Sequence, residues 1–353
     1  MTEYLSKKIT ILSFLAILIV VLLHAYNLDT LFKGQPLVMP KGVNWYVQNF
    51  FSNGLTRIAV PMFFVISGYL FFLKFELTFA DYSIKVGKRI KTLFVPYVLW
   101  SFLGIVLYFT LQSVPQSAVF FSNGLIRDFT FPQLLDRLFL HPIPYQFWFI
   151  RDLMLFVVCA PLVFLLVKYT KGFILLPLVA TWAINFDFVI LSNEALLYFF
   201  AGAYIAIENK KLLTADFSNK ALLLTLIWII AVASKVTLEF LGHEQELLTL
   251  LVFKFSIAIG LLAAWALYDL NQKNKPAVPS HSIFKLSFFI YAIHEPMLTI
   301  IKKVLFTVLG TEEMQCLLIY AIAPAIAIGI AIAAGLLMKR YLTKIYNILT
   351  GDR

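Results

Sequence analysis

Residues 11–24 read ILSFLAILIVVLLH, an unbroken apolar run that follows Lys7-Lys8 and ends on a histidine. A helix of this composition is typical of a membrane span, and an imidazole inside it is costly unless it has a partner or a task. At a rise of about 1.5 Å per residue, His24 lies roughly 24 Å beyond Lys8, close to the far surface if the lysines mark the cytoplasmic one. His24 is therefore either an interfacial histidine bonded to a neighbouring helix or a functional group.

Composition indicates the class of protein. Apolar residues make up 61% of the chain, charged residues 14%, and the mean hydropathy is +0.86, which is typical of a polytopic membrane protein. The net charge of +10 would suggest a nucleic-acid partner in a soluble protein. Here the basic residues lie mostly in short loops between apolar segments, which is the positive-inside pattern. We therefore expect membrane lipid, and no nucleic acid, as a partner.

The apolar segments predict an all-α helical bundle with about ten transmembrane helices of roughly 18–25 residues each. They lie near residues 9–27, 54–75, 92–113, 145–168, 172–191, 194–208, 220–240, 246–269, 284–307 and 316–340. The fifth and sixth segments are short, so nine or eleven spans are the alternatives. With the N-terminus inside, the cytoplasmic loops gather most of the basic residues, among them Lys168, Lys171, Lys210, Lys211, Lys273 and Lys275. This alternation favours an even number of spans with both termini cytoplasmic. We expect residues 1–353 to form a single membrane-embedded domain.

The cysteines and the common cofactor signatures exclude several kinds of site. Cys159 and Cys316 lie within or at the edge of apolar segments, so they predict neither a disulfide framework nor a thiolate metal site. The zinc-peptidase, P-loop and dinucleotide-binding signatures are absent from the sequence. We expect no bound metal and no bound cofactor.

Ionisable residues inside the spans are the candidates for chemistry. Arg57 enters the second span from its outer end, where it either snorkels to the interface or has a function. Arg151 and Asp152 lie about two turns into the fourth span, which is expensive unless they pair or face a wet cavity. Because neighbours on a helix point about 100° apart, we expect their partners on other helices.

The ninth span carries His294-Glu295 directly before Pro296, near mid-membrane. Two ionisable groups beside a helix-kinking proline are hard to explain as lipid-facing structure. Three further charges lie inside spans, namely Lys235, Glu239 and Lys254. The first two are four residues apart, so we expect them to pair with each other.

Lys88, Arg89 and Lys91 place three cations within one helical turn, just before the third span begins. Such a group is either an ordinary positive-inside anchor or a site for an anionic cytosolic ligand, such as the phosphates of a nucleotide. Composition alone favours the anchor.

Taken together, these motifs resemble the acyltransferase 3 family of integral-membrane acyltransferases, whose members O-acylate sugars and other surface or secreted molecules. The resemblance covers nearly the whole chain in family order. It is carried by FLAILIVVLLH at 14–24, VPMFFVISGYLFF at 60–72, RIK at 89–91 with VPY at 95–97, WFIRDL at 148–153 with APL at 160–162, YFFAGAY at 198–204 and LSFFIYAIH at 286–294.

The resemblance implies a catalytic role for His24. It would act as general base on a hydroxyl of an envelope or exported saccharide or lipid-linked sugar, or accept the proton from a relayed acyl group. The resemblance also implies acyl-CoA, with acetyl-CoA expected, as the donor substrate. The basic triplet Lys88, Arg89 and Lys91 is then predicted to hold its phosphates. Arg57 and Arg151 are predicted to stabilise a developing oxyanion or to bind an anionic acceptor, and Asp152 is counted with them among the catalytic residues. His294 is the weaker catalytic candidate, and a role in orienting its helix is the alternative. The resemblance also implies a location in the bacterial cytoplasmic membrane, where members of the family are usually found.

The chain departs from the family pattern at two positions. An arginine usually lies eleven residues before the histidine, on the same helix face, and here that position is Ser13. Either Lys8 or another cation supplies the charge, or the donor is handled differently, or activity is weakened. The cytosolic Arg-x-Arg becomes Arg89-x-Lys91, which replaces a bidentate donor by a point charge.

Two other functions are compatible with the intramembrane charges. A secondary transporter or exporter of a saccharide or lipid-linked sugar could use them as a proton relay and a substrate pocket. No inverted repeat is visible, and the cytosolic basic triplet has no evident use in that function. The other is a catalytically silent family member that assists polysaccharide assembly, which Ser13 keeps open.

Overall fold

The computed structural model describes residues 1–115, 121, 124–186, 191–272 and 282–352. Over this part of the chain the protein is helical, apart from a two-stranded antiparallel ribbon formed by β1 (Leu31–Phe32) and β2 (Gln35–Pro36). The loop charges Lys273 and Lys275 lie outside the described residues, as do positions 116–120, 122–123 and 187–190 of the expected loops and spans. The predicted all-α, polytopic class is confirmed.

Fifteen α-helices are described. They are α1 (Glu3–Ala25), α2 (Val43–Phe51), α3 (Ala59–Phe72), α4 (Phe79–Arg89), α5 (Val95–Gln112), α6 (Phe131–Phe139), α7 (Trp148–Val158), α8 (Ala160–Thr170), α9 (Leu175–Ala183), α10 (Asn193–Ile207), α11 (Ala221–Phe240), α12 (Leu247–Gln272), α13 (Ser287–Leu309), α14 (Glu313–Tyr341) and α15 (Thr343–Thr350).

Length and composition make seven helical segments of the described chain suitable for crossing a membrane, or eight if α7 and α8 count as one bent span. The expected number was about ten. The segments expected at 172–191 and 194–208 contain α9 and α10, which have nine and 15 residues, fewer than the roughly 20 that a span needs.

The fourth expected span is broken at Cys159, where α7 and α8 meet at 69°. Pro161 lies in the first turn of α8 and has no N–H with which to continue the helix of α7. The hydroxyl of Tyr82 donates to the Val158 carbonyl at 2.9 Å, which satisfies an acceptor at the break.

The chain divides into two compact units. Unit 1 comprises Met1–Leu23, Asn49–Gly87 and Leu155–Phe284, and unit 2 comprises His24–Gln48, Lys88–Met154 and Lys285–Arg353. Each unit is assembled from three separate stretches of sequence. The expectation of one membrane domain over the whole chain stays a prediction.

Unit 1 is built around a close crossing of α3 and α10. A Cβ atom on Gly202 would lie 2.1 Å from the Val65 carbonyl oxygen, and one on Gly68 would lie 2.3 Å from that of Phe199. The two helices therefore touch backbone to backbone, as small residues permit in membrane helices. Beside this crossing, the rings of Phe156 and Phe199 stack with centroids 4.5 Å apart.

Unit 2 is organised around α13, which is kinked at Glu295, where φ is −113° and ψ is 136°. The kink directly precedes Pro296, as the sequence predicts, because proline removes a backbone donor and blocks the preceding turn. The helix packs against α15, since the rings of Phe289 and Tyr346 lie 5.6 Å apart. The Trp100 indole of α5 donates to the Leu349 carbonyl at 3.0 Å, so α15 is bound on two sides.

Candidate functional site

The last turn of α1 places His24 in unit 2, together with Tyr145 and His294. His24 Nδ1 and the Tyr145 hydroxyl are 2.8 Å apart, and the two rings meet edge to face. The centroids of the His24 and His294 rings are 5.3 Å apart. His24 is partly accessible and His294 is buried, so the pair has one ring open to a ligand and one enclosed.

The hydrogen bonds of His294 define its neutral tautomer. Its Nδ1 lies 2.6 Å from the Tyr291 carbonyl oxygen, which can only accept, so Nδ1 carries the proton. In the neutral ring Nε2 then holds the lone pair. Nε2 is buried and finds no hydrogen-bond partner among the residues that the structure describes. The kinked turn therefore presents an unused basic nitrogen beside His24.

The carboxyl group of Glu295 lies at the same kink and is 1% exposed. Its Oε2 accepts from the hydroxyl and the backbone N–H of Thr299, at 2.8 Å and 3.4 Å. Its Oε1 makes no hydrogen bond within the described part of the chain, and its charge acts on the Tyr145 hydroxyl. Gln146 Nε2 donates to the Glu295 carbonyl at 3.0 Å, which ties the segment carrying Tyr145 to the kink.

Lys302 holds the end of α1. Its Nζ donates to the His24 carbonyl at 2.8 Å and to the Tyr26 carbonyl at 3.1 Å, and the residue is 6% exposed. Carbonyls at a helix C-terminus lack partners within the helix, and a cation there is favourable. Lys302 also interacts electrostatically with Glu295, so a buried cation and a buried carboxyl both lie beside the two histidines.

Sequence reasoning missed Tyr145 and Lys302. A charge inside the span expected at 284–307 is a signal that could have identified Lys302. Tyr145 gives no such signal, because tyrosine near the end of a span is ordinary at a membrane interface.

A cavity of about 320 Å³ lies beside this site in unit 2, and Glu295 forms part of its wall. The rest of the wall is apolar and comes mainly from α5 and α13, including Trp100, Leu107 and Ile300. Protein interiors are otherwise close-packed, so a space of this size next to the kinked turn is large enough for a small ligand.

Arg151 and Asp152 bond to each other. Arg151 donates to Asp152 Oδ1 through Nη2 at 2.8 Å and through Nε at 3.1 Å, and its Nη1 donates to the Leu140 carbonyl at 3.0 Å. The expectation that their carboxylate and guanidinium partners lie on other helices is wrong for this pair. The long arginine side chain folds back in the first turn of α7, which begins at Trp148. An oxyanion role for Arg151 requires that some of these bonds open.

Arg57 belongs to unit 1, where it lies in the short helical turn Leu55–Ile58 ahead of α3. Its Nη2 donates to the side-chain oxygen of Asn53 at 2.5 Å. Because Arg57 and Arg151 fall in different units, their expected shared role towards an oxyanion or the acceptor stays a prediction.

The basic triplet lies where α4 ends and a π-helical turn, Ile90–Phe94, begins. Pro96 has no N–H to offer the preceding turn, which explains why the regular helix is interrupted there. Lys88 and Lys91 are exposed and Arg89 is half-buried. Their role as ligands for the phosphates of acyl-CoA stays a prediction.

Lys8, one of the cations offered in place of an arginine at Ser13, forms a buried ion pair in unit 1. Its Nζ lies 2.6 Å from Asp269 Oδ1 and 4.1 Å from the centroid of the Trp265 ring. The Tyr4 hydroxyl donates to the same carboxylate oxygen. Lys8 is therefore paired with Asp269, and it could bind a donor substrate only if this ion pair broke.

Comparison with known proteins identifies the family. Residues 7–338 match the family model described as an acyltransferase domain. The chain is 27% identical over 355 residues to the succinoglycan biosynthesis protein ExoH of Rhizobium meliloti (strain 1021), an alignment that covers 99% of this chain and 92% of that protein. No solved structure matches the chain significantly. The chain therefore belongs to the acyltransferase 3 family, as a polytopic member.

Proposed function

We propose that the protein transfers an acyl group, with acetyl expected, from cytosolic acyl-CoA to a hydroxyl of an envelope or exported saccharide. The family supports a membrane acyltransferase. The relative that acts in succinoglycan biosynthesis supports a polysaccharide as acceptor. On this proposal the protein works in a bacterial cytoplasmic membrane, between a donor made in the cytosol and an acceptor beyond it.

The observation that carries the proposal is the bond between His24 Nδ1 and the Tyr145 hydroxyl, at 2.8 Å. If Tyr145 donates to Nδ1, the neutral ring carries its proton on Nε2 and cannot act there as a base. If the Tyr145 proton points towards Glu295, Nδ1–H donates to the phenolic oxygen and Nε2 holds the lone pair. The proposal takes the second arrangement, in which His24 is a base oriented by a second group.

In the proposed step, the acceptor hydroxyl transfers its proton to His24 Nε2 while its oxygen forms a bond to the acyl carbonyl carbon. The carbon–sulfur bond of the thioester breaks, and the leaving thiolate takes the proton from the imidazolium ring. Ester and free CoA are the products, and His24 returns to its neutral form. His294 Nε2, 5.3 Å away by ring centroids, offers a second site for the proton.

The basic residues would bind the negatively charged groups of the reaction. Lys88, Arg89 and Lys91 would hold the CoA phosphates by charge-assisted hydrogen bonds. Arg151, oriented by Asp152, would bind the developing oxyanion once its bonds to that carboxylate rearrange. A role for Arg57 towards the acceptor stays a prediction.

The test is a reconstituted reaction. Purified protein in proteoliposomes is given radiolabelled acetyl-CoA and a cell-envelope glycan extract, and CoA release and label transfer are measured for the wild type and for His24→Ala. Loss of a general base is expected to lower the rate by about 10²–10⁴-fold. His243→Ala is the matched control, because this histidine is 45% exposed and pairs with Glu246 at 2.6 Å in a loop.

A catalytically silent partner in polysaccharide assembly is the second candidate, and Ser13 favours it. The structure engages Lys8 with Asp269, which weakens the idea that Lys8 replaces the missing arginine. Transfer that depends on His24 would exclude this candidate. If no donor and acceptor yield CoA release, the acyltransferase proposal fails, and a saccharide exporter becomes the better hypothesis.

A further inference from the structure

Two pairs of ionisable side chains outside the candidate site differ in their exposure. Lys235 and Glu239 of α11 lie 2.7 Å apart, as the sequence predicts, and their side chains are 6% and 20% exposed. His141 and Asp136 lie 2.8 Å apart in the segment between α5 and α7, and their side chains are 63% and 37% exposed. The course of that segment through unit 2 explains why the second pair is open.

The segment runs back along α5 instead of staying at one end of it. The backbone N–H of Ile126 donates to Gln112 Oε1 at 2.8 Å, where α5 ends. The Tyr97 hydroxyl, in the first turn of α5, donates to the Phe139 carbonyl at 2.8 Å. Along the helix, Tyr97 and Gln112 are about 22 Å apart. Residues 126–139 therefore pass from the external end of α5 to its cytoplasmic end, as the charge pattern orients that helix.

The tip of the segment, residues 139–141, is held at the cytoplasmic end of α5. Besides the bond from Tyr97, Arg151 Nη1 of α7 donates to the Leu140 carbonyl at 3.0 Å. The charges of Asp136 and Arg151 both act on the Tyr97 hydroxyl. This end of α5 directly follows the π-helical turn in which the basic triplet ends. The tip and the triplet therefore lie on the same side of unit 2.

Beyond the tip, the chain turns back towards His24. A Cβ atom on Gly104 would lie 2.5 Å from Pro144 Cδ, so Pro144 touches the middle of α5. The next residue, Tyr145, reaches His24 Nδ1 at 2.8 Å. Because an extended chain covers at most about 3.6 Å per residue, His141 lies within about 15 Å of Tyr145. The segment is therefore re-entrant, and its return connects the tip to the proposed base.

The helix α6, in the first half of this segment, has two unlike faces. Phe131, Leu135 and Phe139 recur every four residues and are exposed, which suits contact with lipid. Asp136 lies on the opposite face and forms the ion pair with His141. Ionisable groups and irregular backbone at membrane depth occur where they are enclosed by protein or line a water-filled cavity. Since this pair is exposed, the polar face of the segment borders water.

We propose that residues 126–144 form a re-entrant loop whose tip lines a water-filled opening to the cytoplasm, and that the pantetheine arm of the donor occupies this opening. The inference rests on the proposed function for acyl-CoA as the donor. In that function the basic triplet binds the phosphates of CoA, and His24 acts where the thioester reacts. The pantetheine arm connects these two parts of CoA, and the tip lies between the triplet and His24. The amide groups of the arm can form hydrogen bonds with polar side chains such as His141.

Cysteine labelling tests the course of the loop. The full chain carries Cys159→Ser, which removes the exposed native thiol, and either His141→Cys at the tip or Arg127→Cys at the start of the loop. Arg127 is 67% exposed and lies in the short turn that contacts the end of α5. A membrane-impermeant methanethiosulfonate is expected to label position 141 only in inside-out vesicles and position 127 only in right-side-out vesicles. Labelling of both positions from the same side would make the segment an ordinary loop and overturn the proposal.

A second position keeps the test decisive if the loss of His141 disturbs the loop. Arg137→Cys, on the polar face of α6 near the tip, is labelled in the same way, and size-exclusion chromatography first shows that each variant is folded. We expect position 137 to share the sidedness of position 141. If neither position is labelled in inside-out vesicles of folded protein, no water reaches the tip and the proposal fails.

Protection from labelling tests the occupant of the opening. The probe is desulfo-CoA, which has the pantetheine arm but no thiol to consume the reagent, and its control is adenosine 3′,5′-bisphosphate, which lacks the arm. Saturating desulfo-CoA is expected to slow the labelling of His141→Cys in inside-out vesicles at least about tenfold, because occupied protein is shielded. The control nucleotide is expected to leave the rate unchanged. Equal rates with and without desulfo-CoA would refute the donor site.

The same measurements distinguish this inference from the proposed function. The additional variant His24→Ala is expected to keep the protection by desulfo-CoA, since binding requires no transfer. Acyl transfer by the wild type without protection at position 141 would refute the donor site and leave the acyltransferase standing. Protection without transfer to any acceptor would support the site and remove the acyltransferase.

Discussion

The Tyr145 hydroxyl bears on which nitrogen of His24 can act as a base. Tyr145→Phe removes the group that holds Nδ1, so the ring is free to adopt either tautomer and either orientation. We expect kcat for acyl transfer to fall by about tenfold to a hundredfold, with a small change in KM, because the phenol contacts the base and not the acceptor.

The check combines kinetics with nitrogen NMR of histidine-labelled protein, in which the His24 signals are assigned by their loss in His24→Ala. The wild type is expected to carry its proton on Nδ1, and Tyr145→Phe to show a mixture. Tyr341→Phe, whose side chain is 67% exposed, is the control. An unchanged kcat in Tyr145→Phe would remove Tyr145 from the mechanism.

Single residues of the site could be predicted from the sequence more readily than their partners. His24 and His294 are conspicuous because an ionisable group in an apolar helix needs an explanation. The partners of Arg151 were expected elsewhere, yet its side chain reaches the adjacent Asp152 at 2.8 Å. Rotamers and tertiary contacts decide such pairings, and neither is visible in helix periodicity.

At the scale of helices, the crossing of α3 and α10 is the tightest contact described in unit 1. Gly202→Ala places a methyl group against the Val65 backbone carbonyl, which cannot move without shifting α3. We expect the variant to lose at least about 2 kcal/mol of stability, as overpacked cores do. The effect is measured by heating the detergent-solubilised protein and following the folded fraction by size-exclusion chromatography with fluorescence detection.

Gly329→Ala is the matched control for this substitution. Gly329 lies in the middle of α14, and a Cβ atom there has no neighbour within 4 Å. Alanine is a better helix former than glycine, so the control is expected to be neutral or slightly stabilising. If both variants unfold at the wild-type temperature, the α3–α10 contact is not tight in the protein.

The helices differ in how well they could be predicted from the sequence. Long apolar segments with basic loops predict α1, α5, α11, α12 and α14 closely, because hydropathy and helix length are both read from the chain. The regions of α7 to α10 were expected as three spans, the last two of them short, and instead contain short helices and a 69° break. Hydropathy averaged over a window of residues does not detect such breaks. It predicts that a segment is apolar, but it does not predict where the helix within that segment ends.

At the scale of the whole chain, neither unit is continuous in sequence. Each draws on three stretches, and no change in composition or linker marks the points where the chain passes from one unit to the other. The sequence therefore predicted the membrane class and the family, which depend on overall composition and ordered motifs. It could not predict the two units, which depend on contacts between distant segments.

The break between α7 and α8 also provides a built-in reporter of membrane topology. Cys159 is exposed at the break, whereas Cys316, the other cysteine, is buried, so the unmodified protein offers one reactive thiol. Tyr82, from the segment that the charge pattern places in the cytoplasm, bonds to the neighbouring Val158 carbonyl. A membrane-impermeant maleimide is therefore expected to label inside-out vesicles and to leave sealed right-side-out vesicles unlabelled.

The pattern of labelling distinguishes two kinds of membrane segment. Labelling from the cytoplasmic side means that the bent pair enters the bilayer and returns to water at Cys159. Protection from both sides means that Cys159 lies in lipid and that α7 and α8 together make one broken span. Labelling from the outside would reverse the predicted orientation of the chain, and with it the side from which each substrate arrives.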